Sequence, residues 1–148
     1  MSAPIDPTTI SVIGGFTALT NATADYLALD PDRCTGLGGP DLRTTIEDAP
    51  AQNNALIFPP FDGAWIITLA GDLVVTSTGP SSEAGYRPAV RTLLASLKTA
   101  LDALKAAPNN LTHSGGTEKV WLYSKLDPTW SNYHICTVTF GLVVDAFA

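Results

Sequence analysis

Between Tyr86 and Ala107 the apolar residues Val90, Leu93, Leu94, Leu97, Leu101 and Leu104 fall at i, i+3, i+4, i+7, i+11 and i+14, while Arg91, Lys98, Asp102 and Lys105 lie off their stripe. That spacing returns side chains to one side of an α-helix, so one amphipathic helix is predicted here. Pro88 suits its first turn, where a missing N–H goes unused, and Pro108-Asn109-Asn110 stops it. A helix with one apolar stripe needs a flat surface to cover.

Strand-like runs on both sides of it supply that surface. Ala64–Leu69 and Leu73–Thr78 read as two strands, and Ala70-Gly71-Asp72 between them reads as a hairpin turn, because a Gly-Asp pair tolerates tight turns. After the helix, Lys119–Lys125 and the long run Tyr133–Asp145 read as two more strands. In the latter, Cys136, Val138, Phe140, Leu142 and Val144 share one face by period two, and Tyr133, Thr137, Thr139 and Gly141 share the other. The first face is core, and Cys136 is expected buried in it as a small hydrophobe. Asp127-Pro128-Thr129-Trp130-Ser131-Asn132 reads as a loop that presents an aromatic side chain.

The N-terminal third is less periodic. Thr8–Leu29 carries Ile10, Ile13, Phe16 or Thr17, and Thr20 at a partial helical period and reads as helix, although Gly14-Gly15 inside it would cost about 1–2 kcal/mol. Residues 30–62 hold repeated breakers, from Gly36-Leu37-Gly38-Gly39-Pro40 to Phe58-Pro59-Pro60-Phe61, and are expected to be a partner-contacting loop, mobile in the free protein. The fold class is therefore α+β, with an antiparallel or mixed sheet and the long helix on one face, in the core order β-β-α-β-β. Residues 1–148 form a single domain, with a loop-rich segment 1–62 and an α+β core 63–148.

Composition narrows the function classes. The 148 residues suit one domain, and charged residues at 15% fall well below the ~25% of ordinary domains, which excludes a charged disordered chain or a coiled coil. No apolar run approaches the ~18 residues of a membrane span, and MSAPIDPTTI lacks the basic start and apolar stretch of a signal peptide, so neither a membrane nor an exported protein is expected. The net charge of −6 is uneven. Residues 1–86 carry ten acids and two bases (−8), and residues 87–148 carry four acids and six bases (+2). Those bases are scattered, not clustered as phosphate neutralisation requires, so sequence-specific nucleic-acid binding is not expected.

Reactive chemistry is sparse. Cys34 and Cys136 have no metal-ligand or disulfide spacing and read as reduced thiols. The only histidines are His113 and His134, and no serine sits in a G-x-S-x-G elbow; His113-Ser114-Gly115-Gly116 reads as a flexible turn and His134 as a surface or satisfied side chain. Gly36-Leu37-Gly38-Gly39 lacks the spacing of a phosphate loop, and the pairs Asp30/Asp32 and Glu47/Asp48 read as solvated charges. Asn21-Ala22-Thr23 and Asn110-Leu111-Thr112 match the glycosylation pattern without a leader to bring them to that machinery. Trp65 and Trp121 read as packed strand residues. Trp130 reads as an interface anchor, with Asp127 and Asn132 beside it. No catalytic residue, cofactor site or metal site is predicted.

The loop-rich acidic start, the strand pair, the helix with an Arg near its start and the closing strand Tyr133-His134-Ile135-Cys136-Thr137-Val138-Thr139-Phe140 together resemble the small neck proteins of tailed bacteriophages. The similarity is to the tail-terminator (tail-completion) family and covers roughly residues 60–147. It implies an α+β structural protein without enzymatic activity, a homo-oligomer forming a hexameric ring that joins the tail tube protein to the head-tail connector. Its place would be the virion, after synthesis in the host cytoplasm. The glycine-interrupted N-terminal segment departs from that family's firmer first helix. A capsid decoration or other phage structural protein is the alternative within this class; a small-molecule-binding or enzymatic domain is the alternative outside it.

Overall fold

The structure is a computed structural model that describes residues 5–19, 25–37, 64–75, 83–131 and 135–145. Six strands, β1 (Val12–Ile13), β2 (Tyr26–Leu29), β3 (Ala64–Val74), β4 (Asn109–His113), β5 (Gly116–Trp130) and β6 (Cys136–Asp145), form one antiparallel sheet in the order β1-β4-β5-β6-β3-β2. Between β3 and β4 runs the helix α1 (Glu83–Ala106), which packs on one face of the sheet, chiefly against β5. The protein is α+β, as the periodicities predict.

Three expectations are corrected. Ala64–Val74 is one continuous strand, not a hairpin, and pairs along β6 from Ala64↔Asp145 to Leu73↔Cys136. Gly71 sits mid-strand because a Cβ there would lie 2.2 Å from the carbonyl oxygen of Ala28 on β2, so its glycine serves close strand approach and not a turn. Among the described residues after 63 the order is thus strand, helix, three strands; Thr76, Ser77 and Thr78 of the expected second strand lie outside them.

Secondly, the described part of Thr8–Leu29 is not helical. A 3-10 turn (Pro7–Thr9), β1, a tight turn and β2 replace the expected helix. Gly14 adopts φ +58 within Ile13-Gly14-Gly15-Phe16, whose ends exchange backbone hydrogen bonds of 2.9 Å. Ile10, Ile13, Phe16 and Leu19 are all buried, so their three-residue spacing arises from turns folded against the core.

Thirdly, Asp127–Trp130 belongs to β5, which extends through two register shifts to pair Trp130 with Cys136. Helix α1 also begins earlier than expected, leaving Pro88 inside it. Of segment 30–62, residues 30–37 are ordered by a 3-10 turn (Pro31–Arg33) and a bridge from Thr35 to Thr68, while residues 38–62 lie outside the described residues.

The core fills the space between α1, the N-terminal segment and one sheet face. Val90, Leu93, Leu97, Leu101 and Leu104 of α1 meet Val120 and Leu122 of β5 and the predicted inward face of β6, Cys136 to Val144, all buried. Burying each such aliphatic side chain contributes about 1.5–3 kcal/mol. On the helix-free face Val143 is buried among half-buried Ile66, Trp121 and Tyr123. Strand register places Thr68, Thr112, Thr117, Thr129, Thr137 and Thr139 on that same face.

Candidate functional site

The turn expected at His113-Ser114-Gly115-Gly116 is present and leads into a strand, but His113 itself is a strand residue. His113 ends β4 and Gly116 begins β5, so Ser114-Gly115 is a two-residue loop of a tight hairpin. Leu111 stands directly opposite Glu118, and His113 reaches Glu118 diagonally on the core face, with Nε2 and Oε2 2.9 Å apart. The His113 side chain is fully buried. Gly115 N–H donates to its Nδ1 at 3.1 Å. A backbone N–H can only donate, so Nδ1 is the acceptor and the ring proton sits on Nε2, directed at the carboxylate. Ser114 N–H donates to Thr9 Oγ1 at 3.2 Å, tying the hairpin tip to the first 3-10 turn. With both nitrogens engaged and no exposed lone pair, this pair fastens the edge of the fold. Spacing hid it, because five residues apart across an unrecognised hairpin is a cross-strand diagonal.

Trp130 and Asp127, expected to act together, lie on opposite faces of β5. Trp130 shares the core face with its partner Cys136 and is half-buried there. The Arg87 guanidinium lies 4.2 Å from its ring centroid, clamping the start of α1 to the end of β5 through a cation–π contact. Asp127, opposite Thr139, is exposed on the helix-free face. Asn132 lies outside the described residues, as do His134, Glu47, Asp48 and Asn21.

A second polar group gathers at the β2 edge. Asp30 accepts the Asp32 N–H at 3.0 Å and Arg33 Nε at 2.9 Å; the backbone donor first, and then Arg33, hold its carboxyl below the usual range. Arg33 reaches on to Asp72 on β3 at 3.4 Å, and Asp72 accepts Thr137 Oγ1 at 2.7 Å. This network ties the 3-10 turn to β3 and β6. The two thiols are buried and free, and burial pushes both up, with Cys34 Sγ lodged 3.3 Å from Ala70 N.

Among the described residues, no three His, Cys, Asp or Glu side chains are placed to hold a metal ion, and no helix is long and apolar enough to cross a membrane. Comparison with protein-family models, curated protein sequences and solved structures finds no match to this chain.

Proposed function

We propose that this chain is an architectural subunit of a tailed-bacteriophage neck, a tail-terminator-like protein whose copies form a ring between the tail tube and the head-side connector. The observation that carries the reading is how the reactive side chains among the described residues are used. His113 spends both ring nitrogens on Glu118 and Gly115, and Cys34 and Cys136 fill core positions. The exposed surfaces carry many small and polar residues, Thr92, Ala95, Ser96 and Thr99 on α1 and Thr129, Thr137 and Thr139 on the sheet, beside the α1 charges and the half-buried Ile66, Trp121 and Tyr123. Such surfaces suit contact between preformed protein faces, where stiff β-branched side chains lose little freedom. The resemblance of residues 60–147 to tail terminators supports the ring, the virion location and the two partners. Electron microscopy and mass measurement of the purified protein test it: a six-fold ring is expected, and a trimer or a monomer under all conditions overturns the terminator assignment.

A further inference from the structure

Charge is also distributed unevenly over the described surface of the fold. Arg91, Lys98 and Lys105 recur every seven residues, so they form one exposed ridge along α1, broken by Asp102, which pairs with Lys98 at 2.7 Å and Lys105 at 3.7 Å. Beside that ridge, an open groove of about 450 Å³ runs between α1 and Gly15, with Thr92, Ala95, Ser96, Thr99 and Ala100 along it. Across the molecule, on the helix-free side, register puts Asp72 and Asp127 on the sheet face, with Asp30 and Asp32 at the adjoining β2 edge. These four acids outnumber the bases Arg33, Lys119 and Lys125 on that side by one, and Arg33 is shared between Asp30 and Asp72, which leaves Asp127 and Asp32 outside that network.

We infer that copies of this chain associate head to tail, the helix-free sheet face of one copy covering the outer face of α1 in the next. The inference rests on the assembly reading above and names the surfaces that would carry it. The two charged surfaces lie on opposite layers of the fold, so a two-fold dimer using either surface would set like charges against each other. A heterologous contact sets acids against bases and leaves each copy with one used and one unused surface, the condition for a ring or a filament. The small side chains of the groove let a second backbone come close. The Thr129, Thr137 and Thr139 array offers a stiff surface to meet it.

The test is sedimentation of the full chain at low and high salt, with the reversals Arg91→Glu and Asp127→Lys, both at exposed positions. The wild type is expected to self-associate, less so at high salt. Each single reversal should weaken association by about tenfold or more, and mixing the two variants should restore it, since each supplies the surface the other lost. Circular dichroism on each variant confirms that the fold survives. A wild type that stays monomeric at low salt, or reversals that leave association unchanged, or variants that fail to rescue each other, overturn the contact. If the wild type still forms a six-fold ring while the reversals do nothing, only the surfaces are wrong and the neck reading stands.

Discussion

Glu118 grips His113 diagonally across the β4–β5 hairpin, Oε2 to Nε2 at 2.9 Å, while Gly115 N–H occupies the other ring nitrogen. Removing one partner leaves a buried polar group with a lost hydrogen bond, which costs about 1–3 kcal/mol and more if the group is charged. Glu118→Leu and His113→Leu should each destabilise by at least that amount. The double variant should cost clearly less than the sum of the two, because neither the ring nor the carboxylate is left buried opposite a missing partner, and the Gly115 N–H loses its acceptor already in His113→Leu. Urea denaturation of the three variants measures this; strict additivity would mean that the two side chains do not depend on each other.

Leu97 is fully buried at the centre of the α1 stripe, and Ser96 beside it faces outward. Leu97→Ala removes packing that cannot collapse easily and should cost about 2–5 kcal/mol. Ser96→Ala should stay within about 0.5 kcal/mol of wild type. Chemical denaturation decides between this placement and a helix whose leucines face solvent, for which the two variants would match.

How much of this was legible in the sequence depends on the range of the interactions. The α1 stripe and the inward face of β6 were readable because helix and strand periods are local properties that tertiary packing then used unchanged. Gly71 was misread because its reason lies at Ala28, on a strand that pairs with β3 from more than forty residues upstream. Gly14 did signal a break, and the helical reading of Ile10, Ile13 and Phe16 failed where turns reproduce a three-residue spacing. For Trp130 the turn-forming neighbours Asp127 and Pro128 outweighed the strand, yet proline is tolerated on a strand with an open side, and β4 pairs with β5 only as far as Val120. The His113–Glu118 pair needed the hairpin to be seen first.

The Asp30 carboxyl, held below its usual range by the Asp32 N–H and then by Arg33, gives the β2 edge a defined pH response. A carboxyl whose folded value is depressed contributes stability above its unfolded value, about 3.9, and loses that contribution as pH falls through the lower folded value. Acidification below about pH 4 should therefore loosen the Pro31–Arg33 turn before the core melts. Asp30→Asn should remove that part of the pH dependence. Carboxyl titration by NMR reads it directly, and an Asp30 midpoint at or above the ordinary value would contradict the proposed hydrogen bonds.

Cys34 and Cys136 are both buried, and burial raises the pH at which either forms the reactive thiolate. Neither thiol should be labelled by an aromatic disulfide reagent in the native protein at neutral pH, and both should react at once in denaturant. Rapid labelling of one equivalent under native conditions would place that thiol outside the core.

Gly71 and Gly15 make a matched test of why glycine stands where it does. At Gly71 an added Cβ would sit 2.2 Å from the Ala28 carbonyl oxygen, a backbone atom held in the β2–β3 ladder that cannot swing aside. Gly71→Ala must push β2 away from β3, breaking the Leu29↔Gly71 pairing and disturbing Leu27 and Leu29, both buried in the core. Overpacking of this kind costs about 1–3 kcal/mol or more. At Gly15 a Cβ meets nothing within 4 Å, so Gly15→Ala should be neutral or stabilise by up to about 1 kcal/mol through a less flexible unfolded chain. Thermal unfolding of the two variants separates the cases, and amide exchange locates the damage: protection should fall along β2 in Gly71→Ala while α1 and β6 keep theirs. Equal stability of the two variants would show that β2 does not approach β3 as closely as the strand register requires.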